Sequence, residues 1–473
     1  MIVLWKWHDF LNAIGGDSMG RTDAICGISI DTRTLQKGDA FFAIQGKNFD
    51  GHDFVPMAVE KGASVLVLSQ KYALSFEKDG ECVPLILVNH VREALEKLAR
   101  VARSRSSAKV IAVTGSVGKT TTKDALFCAF SRIGNVYASP YSFNNHWGVP
   151  LALARMPLNT DFGIFEIGMN HKNEIRQLVK LVAPDIAIIT RIAAAHLRYF
   201  DNMEGIADAK AEIFEGLQSN GVVFLNINDS FFLYLKRKAY AVGVRHVLSF
   251  GDLDTADYRL KNIEIGDDSL LFKARLPLKE VIVKVNVPGV HMAHNCLAVL
   301  GVADILAVDM ARVLLGLQNF FAGKGRGMRY KVALPGGGSF LLIDETYNAN
   351  PASMRAALSV LRKNKIGSYG RRVAVLGDML ELGHVSRREH EELALPIRAS
   401  GISRALLVGP YMKYLSDILR DYLHVSYCER AINLLNLLLN DLHAGDIIML
   451  KASKNIGLSR IVDAVLEKYH IVC

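Results

Sequence analysis

No C-x-x-C spacing joins any of the six cysteines (Cys26, Cys82, Cys128, Cys296, Cys428 and Cys473), which excludes a zinc ribbon and argues against a disulfide frame. There is no block of Lys and Arg either. A formal charge of +9 is spread along the chain, which suits anionic ligands such as nucleotides and gives nucleic-acid binding little support. The longest apolar runs, such as LAVLGVADILAV over 297–308, fall short of the ~20 residues of a membrane span and are broken by Asp304. The start, MIVLWKWHDFLNAIGG, lacks a basic leader, long apolar block and cleavage site. A soluble, cytoplasmic protein without membrane insertion is therefore expected. No repeat or low-complexity tract is present.

What is there is apolar text in short periods. At 473 residues and 50% hydrophobic, the chain exceeds one ordinary core, and at roughly 150 residues per domain it predicts three. Residues 1–100 read as an α/β unit: ICGISIDT, AFFAIQG, a helix near 54–61, SVLVLS, PLILVN and an amphipathic helix over 91–104. Residues 101–326 alternate strands such as FGIFEIG and DIAIIT with helices at 119–132, 172–182 and 203–218, as a mostly parallel sheet does. Period-two text over 258–287, with a turn at GDD, adds antiparallel strands. Helices at 292–307 and 309–319 follow, and then AGKGRG (322–327) reads as a hinge. Residues 327–473 alternate again: FLLIDE, a helix at 352–363, RRVAVLGD, a helix at 386–400, RALLVG, DIIMLKAS and a helix at 458–468. This pattern predicts a Rossmann-like doubly wound sheet. The fold class is thus α/β in three domains.

The strongest motif is TGSVGKTTTK (114–123), between an apolar strand and a helix. Such a loop aims backbone N–H groups at phosphate oxygens beside the positive helix end. Thr114, Gly115, Ser116, Val117, Gly118, Lys119, Thr120 and Thr121 form the candidate nucleotide cradle. Lys119 would reach the terminal phosphates, and Thr120 would hold magnesium. The first glycine of G-x-x-x-x-G-K-[ST] would fall at Val113, so the strict pattern is not met. Magnesium also wants an acid from a neighbouring strand. Glu166, at the carboxyl end of FGIFE, qualifies, although a lone acid there is as often a loop cap.

The shorter T-G-x-x-G-K-T form resembles that of the Mur ligase family and its folate-ligase relatives, and the resemblance extends along the chain. In IITRIAAAHLRYF and ADAKAEIF, His196 and Lys210 would by default be a buried structural histidine and a solvated lysine. The resemblance implies that His196 binds a second magnesium and that a carbamylated Lys210 helps to hold metal. Arg191, Ala193 and Ala194 depart from the family's usual I-T-N-I-G-P-A-H. SIDTR, KGDAFFAIQG and DGHDF are similar to the family's uridine-end signature, pointing to Ser29 and Arg33. SFNNHWGVP implies Asn144 and Asn145 near substrate, and PGVHMAHNCLAV implies adenine recognition by Asn295, with Met292 replacing an earlier Asn.

LIDETYNANPASM (342–354) and VLGDMLELG (375–383) resemble the dipeptide-adding branch; an N-P-R-type motif of a single-amino-acid ligase is absent. The resemblance implies that Asp344, Tyr347 and Asn348 approach the nucleotide on closure and that Arg326 contacts its phosphates. KASKNIGL points to Lys451 and Ser453, while Asp378, Glu381 and His390 are dipeptide-pocket candidates with ordinary surface explanations. The implied activity is ATP- and magnesium-dependent joining of D-alanyl-D-alanine to UDP-N-acetylmuramoyl-tripeptide through an acyl phosphate, by a monomer. Lys119, Glu166, His196, Lys210 and Arg326 would be its catalytic groups. Rival readings are a sister or folylpolyglutamate-type ligase adding one amino acid, a non-catalytic nucleotide-binding module, or a ligase-like protein that has lost activity.

Overall fold

The computed structural model describes residues 3–46, 48–72, 77–78, 81–367 and 369–472. Three sheets carry the chain. The amino-terminal one has five strands, within 17–88, whose inner strands Asp39–Phe42, Val65–Ser69 and Leu85–Val88 are parallel. The central sheet has nine, in the spatial order Val136–Ala138, Phe162–Glu166, Lys109–Thr114, Ile186–Ile189, Val222–Asn226, His246–Gly251, Tyr258–Ile265, Leu270–Arg275, Glu280–Val285. Its first seven run parallel and the last two antiparallel. The carboxyl-terminal sheet has six strands, parallel except for the edge strand Met328–Ala333.

The parallel strands are continuous apolar runs because helices cover both faces. One face of the central sheet packs Leu126, Phe130, Val299 and Leu317, and the other packs Ile175, Val179, Ile206 and Phe214. The hairpins beyond Tyr258 alternate instead, sending Phe272 and Val283 inward. Helix Val290–Ile305, apolar nearly all round, is buried between sheet and neighbouring helices.

The helix expected over 386–400 is two: Ser386–Glu391 and Ala394–Ala399. Pro396 explains the break. It has no N–H to give, and its ring would collide with the Glu392 carbonyl in an unbroken helix. The strand His424–Cys428 and the helices Met412–Leu419 and Ile432–Leu439 complete the doubly wound unit and were not anticipated. Cys26, Cys128, Cys296 and Cys428 are free thiols. Cys473 and the Cys82 side chain lie outside the described residues. No helix among the described residues is long and apolar enough to cross a membrane.

Helix Met310–Gln318 presses directly on helix Lys119–Phe130 at Gly316, where an added Cβ would lie 2.6 Å from the Ala129 Cα. Helix Lys119–Phe130 opens at the phosphate-type loop, so this contact sets the height of that loop. Gly316→Ala is expected to cost about 1–3 kcal/mol of stability through overpacking, read as a lower melting temperature; an unchanged melt would mean that the two helices separate freely.

Candidate active site

The strand Lys109–Thr114 delivers its chain into a turn whose glycines are conformationally required. Gly115 and Gly118 have φ of 149° and 88°, a region open to glycine at no steric cost. The turn is held from below: the Thr190 hydroxyl donates to the Val117 carbonyl at 2.5 Å, and the Ser116 hydroxyl to the Ala193 carbonyl at 2.8 Å. Ser116 N–H also donates to the Arg191 carbonyl at 2.7 Å. The altered 191–194 loop is therefore the floor of the cradle. Lys119 donates to the Gly115 carbonyl at 2.8 Å and lies folded over the turn. The Thr114 hydroxyl is buried without a hydrogen-bond partner among the described residues.

Glu166 sits beside Val113 at the carboxyl end of its strand, almost wholly buried. One oxygen accepts the Thr120 hydroxyl at 2.5 Å and the other the Asn144 amide at 2.6 Å. The loop-cap reading is thus too bland, because this acid ties the loop helix to the 142–145 segment. Thr120 and Glu166 offer adjacent oxygens, the donor set a hard divalent cation takes. No group of three or more His, Cys, Asp or Glu side chains gathers among the described residues. A cation here would complete its shell with phosphate oxygens and water.

Lys210 is not a solvated lysine. It is 1% exposed, in the last turn of helix Met203–Ala211. Burial, with Lys119 nearby and against the pull of Glu166, drives its ammonium far below the ordinary lysine range. Lys119 is lowered for the same first reason. A neutral, nucleophilic amine at Lys210 is the form that takes up carbon dioxide.

His196 is part-exposed in a left-handed turn at φ 60°. Its Nδ1 lies 2.6 Å from the Glu381 carboxylate of the carboxyl-terminal unit, which leaves Nε2 uncommitted. Glu381 is also left-handed at φ 64°, accepts the Arg198 N–H at 2.9 Å on its carbonyl, and is held below the usual carboxylate range by His196. Two strained residues facing one another across a domain boundary cost roughly 1–2 kcal/mol each, which their contacts offset.

Arg326 reaches back from the 322–327 segment. Its guanidinium donates to the Ser142 hydroxyl at 3.1 Å and lies 3.7 Å over the Tyr347 ring. Asp344 is engaged within its own segment: one oxygen accepts Gly325 N–H at 2.8 Å and the other the Thr346 hydroxyl at 2.6 Å. It braces the hinge. Lys451, 2% exposed, donates to Glu345 and to the Asn348 carbonyl at 3.1 Å each. Ser453 accepts Leu380 N–H at 2.8 Å. Asn295 faces the phosphate-type loop, where a Cβ on Gly118 would lie 3.0 Å from its Oδ1, and its amide has no hydrogen-bond partner among the described residues.

Other candidates make their contacts within their own units. Asn145 caps helix Gly148–Ala154, accepting Gly148 N–H at 2.9 Å. Ser29 is buried and donates to the Asp31 carbonyl, and Arg33 is extended into solvent against Asp31. Asp378 and His390 are fully buried rather than surface groups. Asp378 accepts Met412 N–H at 2.8 Å, and His390 takes Met379 N–H on Nε2 while its Nδ1 meets the Ser386 carbonyl. Two residues went unrecognised in the sequence. Lys123, in the motif itself, clamps the Ser139 and Tyr141 carbonyls at 2.9 and 2.6 Å. Ser142, two residues before the singled-out asparagines, meets Thr120 at 3.5 Å and Arg326.

Three family models cover the chain: "Mur ligase family, catalytic domain" over 24–103, "Mur ligase middle domain" over 113–303, and "Mur ligase, glutamate ligase domain" over 332–454. The chain belongs to the Mur ligase family, and it is an enzyme of the ligase class. A similar protein is the UDP-N-acetylmuramoyl-tripeptide--D-alanyl-D-alanine ligase of Rickettsia prowazekii, 34% identical over 92% of this chain and 94% of its own. Among solved structures, MurF from Acinetobacter baumannii matches at a TM-score of 0.83 and 29% identity, over 98% of this chain and 99% of that one. MurF from Thermotoga maritima in complex with ADP matches at 0.75 and 25%, over 93% and 98%.

Removing one side chain that spans the boundary tests how far it holds the units together beside the Arg326–Ser142 and Arg329–Asp268 contacts. Glu381→Ala is expected to enlarge the radius of gyration in small-angle scattering; an unchanged value would mean that other contacts fix the closure.

Proposed function

We propose that the chain joins D-alanyl-D-alanine to UDP-N-acetylmuramoyl-tripeptide at the expense of ATP, the last step in making the UDP-linked pentapeptide of peptidoglycan. The observation that carries this reading is similarity along almost the whole chain to ligases of that name. A sister ligase or a folate-type enzyme would not be expected to share it. The division of labour follows the sheets, with boundaries near 100 and 326: uridine end on the first, ATP on the second, dipeptide delivery by the third. ATP use is further supported by the ADP-bound relative from Thermotoga maritima.

In the first step a tripeptide carboxylate oxygen attacks the γ-phosphorus and the bond to ADP breaks, giving an acyl phosphate. In the second the dipeptide amine attacks the acyl carbon, the bond to phosphate breaks, and the amine loses a proton. Bringing two anions together needs cations at hand. Lys119 and Arg326 supply charge beside the loop, and Asn295 is free to meet adenine. Magnesium would be held by Thr120 and Glu166, and a second ion by His196 with a carbamylated Lys210; bound there, it would neutralise phosphate charge. Asn144 fixes the Glu166 carboxylate, Tyr347 positions Arg326, and Lys451 and Ser453 hold the 345–349 and 380 backbone against the site. Ser29 and Arg33 remain our candidates for the uridine end. We place the reaction in the cytoplasm, carried out by a monomer.

Phosphate release with ATP, magnesium and UDP-muramoyl tripeptide is expected to depend on D-alanyl-D-alanine, and Lys119→Ala to lower kcat by about 10²–10³-fold. Turnover only with single amino acids would move the chain to a sister ligase. Protein equilibrated with ¹³C-bicarbonate should show one carbamate carbon resonance that Lys210→Arg removes; its absence would count against the modified lysine.

A further inference from the structure

A strained, bulky residue stands on a turn beside the phosphate-type loop. Tyr141 has φ 49° and is the one Phe, Tyr or Trp at positive φ among the described residues. The Phe143 N–H donates to the Pro140 carbonyl at 3.1 Å, so Tyr141 takes the second place of a four-residue turn, one that glycine or asparagine fills with less strain. Its neighbours hold it there. Lys123, 3% exposed, donates to the Tyr141 carbonyl at 2.6 Å and to the Ser139 carbonyl at 2.9 Å. The Ser139 hydroxyl in turn accepts the Glu166 N–H at 3.1 Å.

Burial of the ring does not offset that strain. Tyr141 is 81% exposed, and its ring meets Phe143 at a centroid distance of 6.0 Å. A large side chain kept in a disfavoured conformation with its ring in solvent points to binding rather than folding. The place of the turn says what is bound. On one side Ser142 touches Thr120 and Arg326, and Asn144 touches Glu166. On the other, Phe143 and Trp147 pack against the core of the amino-terminal unit, where a Cβ on Gly46 would lie 3.1 Å from the Trp147 ring. The turn therefore bridges the first sheet and the loop. A donor with its uridine end on that sheet and its reacting carboxylate at the loop passes its peptide arm across this turn.

Resting on the function proposed above, we infer that Tyr141 is a specificity-determining residue for the donor: its ring lies on the tripeptide arm beside the reacting carboxylate and shuts water away from the acyl phosphate. A phenol ring offers an apolar face to aliphatic peptide and a hydroxyl to a carbonyl or carboxylate. Water that reaches the acyl phosphate attacks the acyl carbon, and the bond to phosphate breaks. The tripeptide carboxylate is then regenerated beside free phosphate, and ATP is consumed with no amide formed. Glycine would make the same turn with less strain and leave the arm uncovered. The tyrosine gives up stability for coupling between ATP cleavage and amide formation.

The test compares wild type, Tyr141→Gly and Tyr141→Phe by thermal melting, by initial rates with each substrate varied in turn, and by phosphate released per pentapeptide formed. Tyr141→Gly is expected to melt no lower than wild type, because glycine takes positive φ freely. It should raise the KM for UDP-muramoyl tripeptide about tenfold, with KM for ATP and for the dipeptide within about twofold. It should also release about two or more phosphates per pentapeptide, where wild type releases about one. Tyr141→Phe restores the ring and is expected to bring donor KM and coupling back to within about twofold of wild type. A glycine variant with unchanged donor KM and unchanged coupling would overturn the inference while leaving the activity intact. So would a glycine variant melting well below wild type, since the ring would then be holding the fold, or a phenylalanine variant that leaks as glycine does. A wild type that makes no pentapeptide from D-alanyl-D-alanine would overturn the proposed function, and this inference with it.

Discussion

The Glu166 carboxylate, shared between the Thr120 hydroxyl and the Asn144 amide, is the contact on which the nucleotide end of the molecule depends. A buried carboxylate is tolerated only when it is paired or hydrogen-bonded. Here both oxygens are used, and two lysines lie close enough to feel its charge. That charge pulls the lysines upward, but burial outweighs it. Lys119 and Lys210 are desolvated and repel one another, so both are pushed toward neutrality. A polyanion arriving at the loop reverses that balance by supplying the charge the cluster lacks. The site is built unsatisfied, and an anionic ligand completes it.

The carboxyl-terminal unit is tied to this cluster by few contacts. Its two cores are separate from those of the central sheet, apart from the side chains of Ala194 and Val385. The chain between the units passes through Gly325 and Gly327, at φ 76° and 98°, and Asp344 anchors Gly325 from the far side. Positive φ at both positions is open to glycine at no steric cost. The His196–Glu381 contact joins the carboxyl-terminal unit to the central one close to the cradle, because the loop preceding His196 is hydrogen-bonded to Ser116.

Much of this was legible in the sequence. Continuous apolar strands, a glycine turn before a helix and period-two hairpins each have one dominant local cause, so the central sheet and its loop were placed correctly. Lys119, Thr120 and Glu166 then followed as candidates from motif and strand position, and Asn144 from the family resemblance. What failed to show was long-range. The backbone partners of Asp344, Asp378 and Asn145 could not be read from sequence, which does not show whether a polar side chain caps a distant N–H. His390 was the mirror case, a helix histidine taken for surface that is buried with both ring nitrogens engaged. Pro396 was legible but underweighted, and it splits a helix as its ring requires.

These scaffold roles bear on the chemistry. An acyl phosphate survives only where water is kept out, so the groups forming it cannot be free to rearrange as domains close. Asn145, Asp378 and His390 fix helix starts and turns on both sides of the boundary, and Asp344 fixes the hinge. The Glu381 segment meets the 196–198 loop through the His196 side chain and the Arg198 N–H. Departures at Arg191, Ala193 and Ala194 then change the surface met on closure more than the cradle, whose bonds from this loop run through the Arg191 and Ala193 backbone carbonyls. Backbone carbonyls are offered by any residue, which is why the loop can vary in sequence and still hold Ser116 in place.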